Sequence, residues 1–198
     1  MQYKNIEFVC SGNRGRSPLA EAFGRRYLEQ RGLVGKIELS SSGTLVDFLK
    51  NPDRGALREI LEKFSYQALH QEIICNEDVE NIREEVNIER ILEKILKVVG
   101  IREPERTRVI LKDMGLSSYF NPNRRPQQTT IRTDAELILP LDSENYQRVI
   151  NIYLPAETKP KIELIGEIED PIISTPEEYR NIVNRVREVT ERAMDKFL

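Results

Sequence analysis

The stretch Phe8-Val-Cys-Ser-Gly-Asn-Arg-Gly-Arg-Ser17 joins an apolar run, Ile6 to Cys10, to a helix-like run, Pro18 to Arg31. It predicts a short glycine-containing loop between a buried strand and the N-terminus of a helix. Such a loop turns backbone N–H groups inward above the positive end of a helix dipole, which suits a dianionic phosphate. The same field favours the thiolate of Cys10 as a nucleophile. One segment therefore supplies a nucleophile, an anion cradle and, in Arg16, a guanidinium fork.

Composition limits the other classes of protein that the chain could belong to. The 198 residues are 39% hydrophobic and 32% charged, which is enough apolar material for the core of one domain. A net charge of −3 does not favour a nucleic-acid partner. Two cysteines are too few to suggest a disulfide scaffold, and no run is apolar enough for a membrane span or a signal peptide. These features indicate a soluble, cytoplasmic protein without a membrane partner.

The chain alternates strand-like and helix-like runs. Three further strands and two further helices are predicted, at Ile37 to Ser42, Ala135 to Leu141, Lys161 to Ile165, Asp53 to Phe64 and Pro176 to Leu198. This alternation favours an α/β fold with a four-stranded parallel sheet flanked by helices on both faces. Ligands of such sheets bind at the carboxyl ends of the strands, and Cys10 lies at such an end.

The stretch from about 65 to 108 differs from the rest because it is rich in Glu, Arg, Lys, Ile and Val and poor in glycine. Its apolar residues recur at helical spacing from Val79 to Val99, and Gly100 and Pro104 bound it. We predict one or two helices inserted into a single α/β domain that spans 1–198. Their apolar stripes are expected to pack on the parent core, and a homo-oligomer formed through the inserted helices is the alternative.

The run from 121 to 128 (Asn-Pro-Asn-Arg-Arg-Pro-Gln-Gln) is a predicted loop because of its prolines and asparagines. Arg124 and Arg125 are expected to be solvated there.

Val9 to Phe23 resembles the signature of the low-molecular-weight protein tyrosine phosphatases, with the Cys, Gly-Asn, Arg-Ser-Pro and Ala-Glu-Ala-Phe elements in the family's order. Segments 41–44, 135–145 and 161–166, and Asp170-Pro171 followed by Glu177-Glu178-Tyr179, are similar to other parts of that family. The resemblance covers both ends of the chain and skips the inserted middle. It implies a metal-independent cysteine phosphatase without a cofactor. Such an enzyme hydrolyses phosphomonoesters, on phosphotyrosine proteins or small phosphorylated substrates, through a phosphocysteine intermediate.

The resemblance also implies the catalytic roles. Cys10 would attack phosphorus, and Arg16 would hold two phosphate oxygens. Ser17 would hydrogen-bond the thiolate. Asp170 would protonate the leaving oxygen and then activate the water that cleaves the phosphocysteine. No cluster of His, Cys and Asp stands at metal-ligand spacing, so no metal site is predicted.

The resemblance further implies a set of phosphate-binding and supporting residues. Backbone N–H groups would cradle the phosphate along the loop, which comprises Ser11, Gly12, Asn13, Arg14, Gly15 and Arg16. Asn13 would brace the loop, with Ser42 as its partner. Asp142 would cap or brace the active-site side of the sheet.

Some positions depart from the family's pattern. Gly15 stands where the family often has a second cysteine. Ile172 and Ile173 stand where the family often has aromatic residues that line the slot for phosphotyrosine, and Phe48 is the nearest aromatic residue expected on the opposite wall of that slot. Arg14 replaces a small or apolar residue. Its charge at the pocket rim predicts a substrate with extra negative charge beside the phosphate.

Two other functions stay open from the residues alone. An arsenate reductase is built on the same fold and loop; because Cys75, which we expect in the core, is the one other cysteine, it would need an external thiol. A non-catalytic anion-binding or interaction module would use the inserted helices as its partner surface. The joint presence of Cys10, Arg16, Ser17 and Asp170 argues against that module.

Overall fold

A computed structural model describes residues 3–50, 53–121, 124–171 and 174–198, without the side chains of residues 54, 56, 96 and 98–106. Its elements, in chain order, are β1 (Asn5–Cys10), α1 (Arg16–Gln30), β2 (Glu38–Gly43), α2 (Val46–Lys50), α3 (Arg54–His70), α4 (Asn76–Arg83), α5 (Ile88–Asp113), β3 (Leu137–Pro140), α6 (Ser143–Tyr153), β4 (Lys161–Ile162) and α7 (Pro176–Phe197). A 3-10 turn, Ser117–Tyr119, follows α5. No helix in these ranges has a segment long and apolar enough to cross a membrane.

The four strands form one sheet in the order β2-β1-β3-β4, and every neighbouring pair is parallel. The predicted α/β class is therefore confirmed. Because side chains alternate along a strand, Ile6 and Phe8 of β1 face the layer of α1 and α7, whereas Val9 packs with Val149 and Tyr153 of α6. Helices cover both faces, and the carboxyl ends of all four strands meet at one edge of the sheet.

Helix α7 shows how the main core is built. Thr175 caps its first turn by accepting a hydrogen bond from the Glu178 backbone N–H at 3.2 Å, and Pro176 occupies the first helical position. Val183 and Val186 then recur on the face that packs against α1, where they are 1% and 0% exposed. The capping signals and the apolar stripe together explain why the sequence predicted this helix well.

Helix α6 was missed by the sequence analysis. It begins after Asp142, whose carboxylate accepts a hydrogen bond from the Asn145 backbone N–H at 2.7 Å. The expected capping role of Asp142 is present, on a helix that was not expected. Strand β4 is shorter than predicted, although the Glu163 N–H still donates to the Ile138 carbonyl at 3.0 Å and continues the parallel pattern.

Helices α3, α4 and the first half of α5 form a second small core, and we call them the inserted helices because they hold most of the predicted insertion. Its buried apolar residues lie on these three helices and in the turn before α4, and comprise Leu57, Leu61, Ala68, Ile74, Ile82, Ile88, Ile91 and Ile95. Near its other end, α5 contributes Leu111 to the main core, and Leu116 follows it there. The helix is about 39 Å long at 1.5 Å per residue, so it connects the two cores. Helix α5 continues through Gly100 and Pro104, so the expectation that these residues bound the helical stretch was wrong. The side chains of Leu96, Val99 and Pro104 lie outside the described part. The homo-oligomer stays a prediction.

Candidate active site

Cys10 is the last residue of β1, and its side chain is 2% exposed. Its Sγ lies 3.0 Å from Ser17 Oγ, and the Ser42 carbonyl oxygen lies at the same distance, 3.0 Å, from that hydroxyl. Burial raises the pKa of the Cys10 thiol, while the charge of Arg16 and the hydrogen bond to Ser17 act in the opposite direction. The nucleophile candidate is thus buried, and its acidity depends on these two neighbours.

Arg16 is the first residue of α1 and is 3% exposed. Its Nη1 donates to Asp142 Oδ2 at 2.5 Å and to the Ile168 carbonyl at 2.6 Å, and its Nη2 donates to Asp170 Oδ2 at 2.6 Å. Burial alone would lower the pKa of this guanidinium, but the charges of Asp170, Cys10 and Asp142 outweigh burial and raise it. One buried cation therefore joins the segments that follow three parallel strands.

The loop from 11 to 15 is held tightly against the end of β2. The Thr44 N–H donates to the Cys10 carbonyl at 2.9 Å, and the Leu45 N–H donates to the Ser11 carbonyl at 3.0 Å. A Cβ at Gly43 would lie 2.5 Å from the Ser11 oxygen, so only glycine permits this approach. Within the described ranges, the N–H groups of residues 11–15 donate to no acceptor of the chain. This is the arrangement that a phosphate cradle requires.

Asn13 adopts a left-handed conformation, with φ of 51°, and its amide is 2% exposed. Its Nδ2 donates to Ser17 Oγ at 3.0 Å and to Ser41 Oγ at 3.1 Å. The expected partner, Ser42, was wrong, because alternate residues of β2 face opposite sides of the sheet. Ser42 Oγ bonds to Glu7 and Thr129 on the far face, and Ser42 reaches the site through its carbonyl.

Arg124 was predicted to be solvated, and this was wrong. It donates to Glu21 Oε2 at 2.6 Å, to Asn13 Oδ1 at 3.2 Å and to the Ser41 carbonyl at 2.9 Å. The loop that carries it gave no sequence signal for these contacts, because they join residues about 100 positions apart in the chain. Arg125, the next residue, is exposed as expected.

Asn145 is a second residue whose role the sequence analysis missed. It is fully buried, and its Nδ2 donates to Ser11 Oγ at 3.1 Å and to Asp142. Its Oδ1 accepts from the Thr44 hydroxyl at 2.6 Å. Asn145 thereby fixes the start of the loop from 11 to 15 against α6. The spacing of three residues from the cap, Asp142, is the signal that could have identified it.

The remaining predicted residues have various positions. Arg14 is exposed, and Phe48 is half-buried on α2. Cys75 was expected in the core but is exposed at the start of α4, next to Asp78. Ile172 and Ile173 lie outside the described residues. The described part of the chain contains no group of three or more His, Cys, Asp or Glu side chains that could hold a metal ion.

Comparisons with known proteins agree with this geometry. A family model described as low molecular weight phosphotyrosine protein phosphatase matches residues 5–82, which include the loop from Cys10 to Arg16. The solved structure of Wzb from Vibrio vulnificus in complex with benzylphosphonate has the same fold, with a TM-score of 0.60 and 15% identity, over 98% of this chain and 99% of that chain.

Two curated relatives match this chain in sequence over longer or shorter segments. The low molecular weight protein-tyrosine-phosphatase YfkJ of Bacillus subtilis is 34% identical over 79 residues, which are 39% of this chain and 51% of YfkJ, so the match spans about half of that relative. The low molecular weight protein-tyrosine-phosphatase PtpA of Staphylococcus epidermidis is 30% identical over 116 residues, which are 51% of this chain and 75% of PtpA. With three quarters of PtpA covered at this identity, the chain belongs to the low molecular weight protein-tyrosine-phosphatase family.

Proposed function

We propose that the protein is a cysteine phosphatase that hydrolyses phosphomonoesters, with phosphotyrosine as the substrate that family membership indicates. The observation that carries the proposal is the position of Arg16. Its buried guanidinium lies beside the Cys10 thiol and binds Asp170 at 2.6 Å. A nucleophile, an anion-binding fork and a proton donor therefore meet at one edge of the sheet.

In the proposed first step, substrate phosphate takes the place of Asp170 on Arg16 Nη2. Arg16 Nη1 stays held by Asp142 and the Ile168 carbonyl, so the guanidinium keeps its plane when Asp170 leaves. The N–H groups of the loop and the guanidinium then share the equatorial phosphate oxygens. Asp170 is thereby released close to the oxygen of the leaving group.

The Cys10 thiolate then attacks phosphorus in line, and the phosphorus–oxygen bond to the leaving group breaks. Asp170, which takes up a proton from solvent after it has left Arg16, gives that proton to the departing oxygen, which leaves a phosphocysteine and an alcohol or phenol. In the second step, ionised Asp170 takes a proton from water, and the oxygen of that water displaces the Cys10 sulfur from phosphorus. The products are inorganic phosphate and the regenerated thiolate, so one carboxyl group serves both steps.

The first experiment is hydrolysis of para-nitrophenyl phosphate in the presence of a metal chelator. We expect the wild type to turn over without metal and Cys10→Ser to be inactive. Asp170→Asn should be impaired in turnover because the leaving group loses its acid. No turnover in the wild type would overturn the proposal, and thiol-dependent reduction of arsenate would then be measured as the competing activity.

We further propose that Arg14 selects substrates that carry additional negative charge beside the phosphate. Arg14 is exposed on the phosphate-binding loop, so its charge is offered to whatever flanks the phosphoryl group. We expect kcat/KM to be higher for phosphopeptides with acidic flanking residues than for neutral ones. Arg14→Ile should remove the difference. Equal efficiency on both peptides in the wild type would contradict this assignment.

A further inference from the structure

In the loop that follows the inserted helices, the side chain of Arg124 reaches the phosphate-binding loop. The Arg124 side chain is 20% exposed, and its guanidinium binds Glu21 of α1, the side-chain oxygen of Asn13 and the backbone carbonyl of Ser41. The backbone N–H of Gln127, in the same loop, also donates to Asn13 Oδ1, at 2.8 Å. Two donors from outside the phosphate-binding loop therefore converge on one oxygen of Asn13.

The hydrogen bonds of Ser41 fix the orientation of the Asn13 amide. Ser41 Oγ donates its one proton to Glu21 Oε2 at 2.8 Å, so it can only accept from Asn13. The Asn13 atom that faces Ser41 must then be the donor, Nδ2. The atom that faces Arg124 and the Gln127 N–H must be the acceptor, Oδ1. Glu21 and Arg124 thus enforce the same orientation of the amide from two sides.

This orientation extends to the nucleophile. Asn13 Nδ2 donates to Ser17 Oγ, so the hydroxyl proton of Ser17 is free to point to one of two acceptors, Cys10 Sγ or the Ser42 carbonyl, each at 3.0 Å. A thiolate is the stronger acceptor of the two, and a hydroxyl that already accepts a bond is a better donor. An Asn13 amide turned the other way would present an oxygen to Ser17 and draw the proton from sulfur.

We propose that Arg124 is a positioning residue for the Cys10 thiolate, because it holds Asn13 in the orientation that directs the Ser17 hydroxyl onto sulfur. Arg124 touches neither the sulfur nor the phosphate-binding face of the loop, so it acts through Asn13 and Ser17. The charged groups that face Cys10 itself are Arg16 and Asp170. These stay unchanged when Arg124 is replaced.

The test measures the thiolate directly, by the pH dependence of Cys10 alkylation with iodoacetamide. Because Cys75 is exposed and would react, all variants are made in a Cys75→Ser background. We expect Arg124→Gln to raise the midpoint of alkylation by about 0.5 to 1 pH unit, which is about a three- to tenfold smaller thiolate fraction below the midpoint. Arg124→Lys, which keeps one charged donor, should recover part of the shift. Arg125→Gln is the matched control and should leave the midpoint unchanged.

A folded Arg124→Gln variant with an unchanged midpoint would overturn the proposal, and so would an equal shift in Arg125→Gln. If Arg124→Gln does not fold, Glu21→Gln replaces it, since this change weakens the ion pair but keeps the guanidinium. A smaller shift in the same direction is then expected, and no shift refutes the proposal. The inference rests on the proposed function only in taking Cys10 as the reactive group. Because alkylation of Cys10 needs no turnover of substrate, a failure of the inference can be told apart from a failure of the proposed function.

Discussion

The proposed phosphate-binding loop and the inserted helices are stabilised in opposite ways. Around the loop, the side chains of Asn13, Arg16 and Ser17 are at most 3% exposed, and each has polar partners from other elements. Among the described side chains, the inserted helices and the turn before α4 instead bury eight apolar residues, and the helices carry exposed ion pairs, such as Arg58 with Glu62. A buried polar network fails when one partner is lost, whereas an apolar cluster loses stability in proportion to what is removed. The two regions should therefore respond differently to single substitutions.

The largest effect is expected from Gly43→Ala, which tests the loop. The added methyl group would lie 2.5 Å from the Ser11 oxygen and 2.8 Å from the Asn13 nitrogen, so backbone must move. Since a displacement of about 1 Å can cost roughly 100-fold in rate, we expect kcat/KM on an aryl phosphate to fall by about that factor.

Gly55→Ala, on α3, provides the matched control in the inserted helices. A Cβ there would have its nearest contact at 3.6 Å, from the Asp53 side chain. Alanine is also the better helix former, so unchanged activity and slightly higher stability are expected. Equal losses of activity in the two variants would show that the close approach of Gly43 to Ser11 and Asn13 is not required for activity.

The next effect is expected in the second core. Ile82→Ala removes a side chain that is 1% exposed within the apolar cluster of the inserted helices. Such a truncation costs about 2–5 kcal/mol of stability. Because the cluster is separate from the main core, hydrogen exchange should increase in α3, α4 and the first half of α5, while β1 stays protected.

Turnover of a small aryl phosphate by Ile82→Ala should change little, because this cluster shares no residue with the site. A uniform increase of exchange over the whole chain would mean that the two cores unfold as one unit.

Local patterns explain which parts were predictable. The strands, α1 and α7 have their signals within a few residues: an apolar run, a cap, a stripe at helical spacing. Cys10, Arg16 and Ser17 lie within eight consecutive residues, so one motif identified them together. The geometry now brings Asp170 to Arg16, although 154 positions separate them. The resemblance implied that Asp170 belongs to the site, but it did not imply the contact with Arg16.

The errors concern contacts that depend on the whole fold. Ser41 and Ser42 are adjacent serines of β2 whose side chains point to opposite faces of the sheet. The register of β2 alone decides which of them contacts Asn13. Arg124 has the local context of an exposed loop, and its three contacts exist because the fold brings that loop to α1 and β2. Helix α6 was missed because it follows directly on a buried strand. The apolar run of that strand hides the change from the two-residue period of a strand to the 3.6-residue period of a helix.

Glu7 is the exception in the polar region, and it gives a pH-dependent test. One carboxylate oxygen accepts from the Ser42 hydroxyl, but the other is buried without a hydrogen bond in the described part of the chain, with Arg132 Nη1 3.8 Å away. Burial raises the pKa of Glu7 above its ordinary value of 4.5, although Ser42 and Arg132 lower it. The fold therefore favours the protonated form.

A raised pKa in the folded state gives a stabilising contribution that is complete below 4.5 and is lost as the pH rises through the folded value. The free energy of unfolding should accordingly fall with rising pH in the wild type relative to Glu7→Gln, which cannot ionise. Urea denaturation between pH 4.5 and 8 measures this difference. Parallel stability curves for the two proteins would refute the assignment. Carboxylates whose pKa is lowered, such as Glu144, are present in both the wild type and Glu7→Gln, so their contributions cancel in the difference between the two stability curves.

The smallest effect is expected at an ion pair between the inserted helices and α6, which begins beside the site. Lys63 of α3 binds Glu144 of α6 at 2.7 Å, with the two side chains 58% and 48% exposed. Exposed pairs contribute only about 0.2–1 kcal/mol, and Glu144 keeps Arg148 as a second partner. Lys63→Ala should thus change the free energy of unfolding by less than about 1 kcal/mol, and less still at high salt.

Asp142→Ala, two residues from Glu144, gives the contrast. That substitution removes a carboxylate from Arg16, which is 3% exposed, and leaves a buried cation short of a partner. Denaturation of both variants, with a double-mutant cycle for Lys63 and Glu144, compares an exposed pair with a buried one. A coupling energy above about 1 kcal/mol for Lys63 and Glu144 would mean that the inserted helices are fastened to the rim of the site by charge, and would remove the distinction between the two regions.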